Sequence, residues 1–396
     1  MNDPKIYLGI DNCFALKRWT TPAEWAKVIK DLGMYYVEAV PDLEAEPLLT
    51  PKDYQKDWIH QVNEVQAKEG VKTVMIYSND STYDTTGFAH PDPRVRRNMV
   101  DKWFTGFCEM AAGIGADIGY FVHGLSESVM YDKAARMLAQ EHVTDCMVDV
   151  NRIAEEAGVD KVALEQMYTP HQPPFTINTM IQLMQTVKRR SGKDFYVTED
   201  VGHHCPFYNR PDPDQIREAY QRYQKDGYIS IWLGSRKAQE LFTQKASDKI
   251  DEDIVKAIMA DMDENVGMFS TPRDTDCYEW LKEMGCYSPV IHIQQTDGTY
   301  SSHKGFTAEN NAKGKIHPVK ILEAIQESYN RIGTHVDMPK PCEDIYLIQE
   351  LYLSTKDIGY QGLHTLKEST DYLRKFIPRD GMTISELLEY NKGMEK

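Results

Sequence analysis

Val162-Ala163-Leu164-Glu165-Gln166, the amphipathic run Ile177 to Arg190, and Phe195-Tyr196-Val197-Thr198-Glu199-Asp200 together read as a strand, a helix and a second strand. The outer pieces are short, apolar and rich in β-branched residues, whereas the middle piece repeats its apolar positions at helical spacing. Strands joined through a helix pair in parallel by a right-handed crossover, so the stretch predicts a βαβ unit.

The same alternation continues in both directions. Further strands are expected at Ile6 to Ile10, Tyr35 to Val40, Thr73 to Tyr77, Ile118 to His123, Val290 to Gln294 and Ile345 to Glu350. Helices are expected at Pro22 to Leu32, Pro51 to Lys68, Pro93 to Ile114 and Tyr131 to Ala157. Eight strands in this rhythm favour a closed (β/α)8 TIM barrel over an open doubly wound sheet. An open sheet would also want G-x-G-x-x-G after the first strand, where the chain reads Gly9-Ile10-Asp11-Asn12-Cys13.

A single barrel domain is expected over residues 1–396, with one interruption. Asp200 and His292 are 92 residues apart, against 35 from Glu165 to Asp200 and 58 from His292 to Glu350. An insertion is therefore expected over about 204–271, with a helix near Asp214 to Lys225, an apolar piece Tyr228 to Leu233, and a charged helical stretch from Ala246 to Asn265. Leaving the C-terminal end of a barrel strand, it would lie over the catalytic face as a lid or reach a neighbouring subunit.

Composition narrows the partners. With 41% hydrophobic and 27% charged residues, the chain has the make-up of an ordinary globular protein. Mean hydropathy is -0.55. A formal charge of -16 disfavours nucleic acid or an anionic membrane surface and points to a small molecule. No apolar run approaches the roughly 18 residues of a membrane span, and Met1-Asn2-Asp3-Pro4 lacks signal-peptide character, so a cytoplasmic protein is expected. Cysteines 13, 108, 146, 205, 277, 286 and 342 form no C-x-x-C pair and read as reduced thiols.

In a TIM barrel, polar side chains at strand ends converge on one pocket. Glu165, Asp200, His292 and Glu350 end four successive strands, each after an otherwise apolar run. Singly, such a residue is more often a salt-bridge partner or a satisfied core histidine. Four together need a common compensation, because buried unpaired charges are costly. A divalent cation supplies it, and three carboxylates with one imidazole suit Mn²⁺, Mg²⁺ or Co²⁺ better than structural zinc.

With these residues in place, the chain resembles the xylose-isomerase-like barrels, which comprise sugar and sugar-phosphate isomerases and epimerases. The resemblance rests on Glu165, the Asp-x-x-His of Asp200 and His203, His292 in Ser288-Pro-Val-Ile-His-Ile, and Glu350. It extends to His303-Lys-Gly-Phe-Thr-Ala-Glu-Asn-Asn-Ala-Lys-Gly-Lys-Ile and Pro318-Val-Lys-Ile-Leu-Glu-Ala-Ile. The pattern departs at Gly305, where proline is usual, and at Gln294-Gln295-Thr296-Asp297, where many relatives place an acid sooner.

The resemblance implies isomerisation or 3-epimerisation of a short keto-sugar or ketose phosphate through a metal-stabilised cis-enediolate, with Mn²⁺ the first choice of ion. Glu165 and Glu350 would remove and return the proton, and His203 would polarise the substrate oxygen. His123 and Glu38 are further substrate candidates, against readings as a structural histidine and a rim salt bridge. Asp11 and Asn12 after the first strand could contact substrate, against a reading as turn residues, and Phe14 and Trp19 could wall the pocket, against a reading as core. For a phosphate the candidates are Lys304, Lys313, Arg210, Arg236 and Lys237. A homo-oligomer is also expected from the resemblance. Competing readings are a phosphodiester hydrolase of the abasic-site endonuclease type, a lyase on a sugar, and a non-catalytic sugar-binding barrel. The hydrolase needs more metal-binding histidines than the strand ends supply.

Overall fold

Eight parallel strands run in chain order around a closed barrel: β1 (Lys5–Asp11), β2 (Tyr36–Ala39), β3 (Lys72–Tyr77), β4 (Asp117–Tyr120), β5 (Val162–Glu165), β6 (Tyr196–Asp200), β7 (Val290–Ile293) and β8 (Asp344–Gln349). β1 closes the ring by pairing with both β2 and β8. The architecture is a computed structural model, which describes residues 3–394 apart from 17, 42–43, 79–86, 245–248, 355 and 358. It is the (β/α)8 barrel that the strand count predicts.

Strand register sets the site. Asp11 sits opposite Glu38, and Asp200 opposite His292, so ionisable groups from adjacent strands share one level near the C-terminal rim. β5, β6 and β7 are buried throughout, as expected of a parallel sheet clothed in helices. Short strands leave several of these groups at or just past a strand end; Glu350 follows β8, and its N–H donates to the Ile293 carbonyl at 3.3 Å.

Helix limits follow local chemistry. Thr21 and Glu24 form a capping box ahead of Pro22–Asp31, with the Thr21 N–H donating to Glu24 Oε2 at 3.1 Å. The expected helix from Tyr131 to Ala157 is instead two, Glu127–Tyr131 and Lys133–Ala157. Asp132 divides them, accepting from the Ala135 N–H at 2.9 Å and so starting the longer helix as its N-cap. The expected helix from Pro93 to Ile114 carries a π-helical turn, Met99–Phe104. A short β9 (Met382–Thr383), absent from the sequence reading, pairs antiparallel with the start of β1. Among the described residues, no helix is long and apolar enough to cross a membrane.

Between β6 and β7 lie helices Pro213–Asp226, Arg236–Thr243 and Glu252–Glu264. The expected helix start at Ala246 falls outside the described residues. Tyr228 to Leu233 forms no strand, and Trp232 and Leu233 fold inward, with Trp232 Nε1 donating to the Met268 carbonyl at 2.7 Å. Ile216, Tyr220, Phe242, Val255, Ile258 and Met262 build a hydrophobic cluster apart from the barrel core, joined by Leu125 and Met130 from the segment after β4. The two ends of the excursion meet where Arg210 N–H donates to the Ser270 carbonyl and Ser270 N–H to the Tyr208 carbonyl.

Candidate metal centre and active site

The C-terminal mouth of the barrel opens on a cavity of about 180 Å³ whose wall includes Asp11, Glu38, Glu165, His203, His292 and Glu350. Glu165, Asp200, His292 and Glu350 each present one donor atom such that all four atoms lie within 4.8 Å of one another. All four side chains are buried. Three carboxylates and an imidazole at this spacing match the donor set of a hard or borderline divalent cation.

His292 is held at both ring nitrogens. Nε2 is 3.0 and 3.2 Å from the two oxygens of Glu38, whereas Nδ1 is 3.2 Å from Glu165 Oε1 and 3.5 Å from Glu350 Oε2. Glu38 thus orients the ring so that Nδ1 faces the other ligand candidates, the arrangement in which a carboxylate fixes a metal-binding histidine. Burial opposes charge on His292, but Glu38 and Glu350 outweigh it and raise its pKa well above the ordinary value. Burial likewise pushes Asp11 well above the usual carboxylate range, reinforced by Glu350 and Glu38. Carboxylates therefore outnumber imidazoles here, a charge excess that a divalent ion would offset.

A second ring of contacts surrounds this group. His203 places Nε2 3.2 Å from Asp200 Oδ2 and Nδ1 2.7 Å from the Gln166 carbonyl. His303 places Nδ1 3.3 Å from Glu350 Oε2 and stacks on Tyr352 at 4.3 Å. Burial works against charge on His303, yet Glu350 raises its pKa to about 9. Asp11 and Tyr77 are both buried in the cavity wall, Asp11 beside Cys13 and the Tyr77 hydroxyl beside Thr198.

Other candidates lie elsewhere. His123 is buried against the Pro173 carbonyl at 2.5 Å and stacks on Phe121; burial lowers its pKa to about 4. It does not line the cavity, although Phe121 does. Lys304 is exposed and meets Gln295 only through the backbone. Arg210 pairs with Asp263, Lys237 with Asp261, and Arg236 lies over the Tyr131 ring. Among the described residues, no lysine or arginine lines the cavity. Tyr77 and Tyr352 of the cavity wall, and Gln294 beside Asp200, have no signal in the sequence pattern, and His303 shows its place only in the structure, although it opens the segment His303-Lys-Gly-Phe-Thr. A larger recess of about 750 Å³ at the opposite, N-terminal face is lined by groups such as Lys161, which is already paired with Asp117 and Asp160.

No family model matches the chain. Among curated proteins, D-erythrulose 1-phosphate 3-epimerase of Brucella abortus is 26% identical over 241 residues, 61% of this chain and 58% of that protein. The chain thus matches less than two thirds of that relative's length. Among solved structures, a xylose-isomerase-like protein from Rhodospirillum rubrum aligns with a TM-score of 0.64 at 17% identity, covering 93% of this chain and 99% of the other. D-allulose 3-epimerase from a Methylomonas species aligns at 0.52 and 10% identity, covering 96% and 99%. The chain therefore shares the (β/α)8 barrel fold of these proteins.

Proposed function

We propose that the protein is a divalent-metal-dependent epimerase or isomerase acting on a short ketose. One observation carries the reading: donor atoms of Glu165, Asp200, His292 and Glu350 gather within 4.8 Å of one another, and Glu165, His292 and Glu350 line a polar cavity. The relative from Brucella abortus, a ketose-phosphate 3-epimerase by name, supports it.

Glu165, Asp200, His292 and Glu350 would hold the ion, with Mn²⁺ the first choice. When bound, such an ion polarises a carbonyl and stabilises negative charge developing beside it. Glu165 and Glu350 belong to different sides of the barrel and flank the same imidazole, so one can take a proton from the carbon beside the carbonyl and the other return one. His203 and His303 stand in the cavity wall with both ring nitrogens engaged, His203 on Asp200 and the Gln166 carbonyl and His303 on Glu350 and Ser301, so they steady the carboxylates that face the sugar. Asp11 and Tyr77 accept and donate to hydroxyl groups further along the chain of the sugar. A wall of carboxylates, imidazoles and phenols, without a lysine or arginine among the described residues, favours an uncharged ketose over a phosphate.

The insertion is part of this reading. Cys205, at its start, donates from Sγ to the Thr299 carbonyl in the loop leading to His303. The helices of 204–271 would act as a lid over the sugar. The test is incubation of Mn²⁺-loaded protein with short ketoses and their phosphates in D₂O. Deuterium at C3 identifies an epimerase and at C1 an isomerase, with faster exchange expected for the uncharged sugars. Absence of exchange in every member would overturn the proposal.

A further inference from the structure

Gln294 follows β7 by one residue and His292 by two, and it is completely buried. Its Nε2 donates to both oxygens of Asp200, at 3.1 and 2.9 Å, and to Ser301 Oγ at 3.0 Å. Its Oε1 accepts the backbone N–H groups of Ser302 at 3.0 Å and His303 at 2.5 Å. Two backbone donors aimed at Oε1 fix the sense of the carboxamide, so the amide hydrogens must face Asp200 and Ser301.

The surroundings are shaped for this side chain. Gly202 lies against it, and a Cβ there would come within 2.3 Å of Gln294 Cδ. The Gly202 N–H also donates to Asp200 Oδ1 at 2.6 Å, so backbone and carboxamide together hold both carboxylate oxygens. On the other side, His303 has a left-handed backbone, with φ of 44°, which a non-glycine residue keeps only when its surroundings enforce it. Gln294 supplies part of that enforcement, and the resulting turn aims the His303 imidazole at Glu350 and the cavity.

We propose that Gln294 is a positioning residue that ties the orientation of Asp200 to the placement of the 301–303 turn. The cation site and the cavity-lining His303 are thereby set by one side chain. This rests on the reading of Glu165, Asp200, His292 and Glu350 as cation ligands. The carboxamide that shares Asp200 with the Gly202 N–H and His203 is fixed at its other end by two backbone N–H groups, so a shift of the 301–303 turn changes its hold on Asp200. Loss of Gln294 therefore has two consequences in distinct places, one on the ion and one on the sugar.

The test compares Gln294→Met, which keeps length and burial without hydrogen bonds, with His303→Ala and the double variant. Mn²⁺ affinity is measured by titration of chelator-stripped protein, KM and kcat with the preferred ketose, and amide hydrogen exchange at Ser302 and His303 by NMR. Q294M is expected to weaken Mn²⁺ binding ten- to a hundredfold, as loss of a group orienting a metal ligand does, and to do so by a similar factor whether or not His303, itself in contact with Glu350, is present. Q294M is expected to raise KM as H303A does, and the double variant to show no further rise, because both remove the same imidazole placement. Amide exchange at Ser302 and His303 accelerates in Q294M. Unchanged Mn²⁺ affinity in Q294M, or KM effects that multiply in the double variant, would overturn the proposal. If wild-type protein binds Mn²⁺ but turns over no ketose, the sugar reading fails while the Mn²⁺ and exchange measurements still decide the role of Gln294. Should Q294M fail to fold, Gln294→Asn, whose carboxamide stops one methylene short of Asp200, takes its place with the same expected outcomes.

Discussion

Glu38→Gln separates the support of the cation site from its ligands. Glu38 is not among the four clustered donors; it holds His292 Nε2 at 3.0 and 3.2 Å and thereby leaves Nδ1 turned toward Glu165 and Glu350. Glutamine preserves volume but removes the charge and can turn its NH₂ toward the ring. Removing the carboxylate that orients a metal-binding histidine weakens the metal roughly ten- to a hundredfold, about 1.4 to 2.7 kcal/mol. With Mn²⁺ at a thousand times its wild-type dissociation constant, the ion stabilises the fold by about 4.1 kcal/mol, and thirtyfold weaker binding would reduce that to about 2 kcal/mol. Calorimetric titration of chelator-stripped protein gives the affinity directly, and thermal melts with and without Mn²⁺ give the linked stability. E38Q is expected to stay folded, bind more weakly and gain less Tm from the ion. A folded E38Q protein with the wild-type Mn²⁺ affinity would refute the assignment of Nδ1 to the site.

Glu165→Gln and Glu350→Gln should each slow deuterium exchange into the ketose by about 10² to 10⁴-fold, read by NMR at saturating Mn²⁺; activity near wild type in either would contradict the acid–base pair. Phe242→Ala removes a ring packed against Tyr220 at 5.4 Å in the insertion cluster and should cost about 3 to 5 kcal/mol there. Limited proteolysis should then cut within 204–271 while the barrel stays intact. Glu44, which accepts from Asn12 Nδ2 at 2.7 Å and Trp58 Nε1 at 2.6 Å, is raised by burial to about 7. Because its folded pKa exceeds the unfolded value, its protonated form stabilises the fold below about pH 4.5, and that contribution is lost as pH rises through 7. Melts of Glu44→Gln should therefore gain on wild type between pH 5 and 7, and parallel profiles would remove Glu44 as the titrating group.

The barrel was legible because its signal is repeated: short β-branched runs alternate with amphipathic helices, and eight of them require closure. Glu165, Asp200, His292 and Glu350 stood out because each is a charge or imidazole at the end of an apolar strand, a position that parallel pairing brings to one rim. Gln294, His303 and Tyr352 carried no comparable signal. They lie after strands, where backbone turns rather than periodicity decide direction, and the left-handed turn at His303 leaves no mark in residue spacing. His123 misled for a related reason. β4 ends at Tyr120, and the chain leaves the sheet before His123, which then packs against Pro173. The insertion was legible as an interval too long for one crossover, but its separate core emerged only from the packing of Tyr220, Phe242 and Ile258.

Crystals of the protein grown with Mn²⁺ and measured at the manganese absorption edge would locate the ion directly. One anomalous peak is expected, among the carboxylates of Glu165, Asp200 and Glu350 and Nδ1 of His292. A peak elsewhere, or none at a concentration that supports ketose turnover, would contradict the proposed cation site.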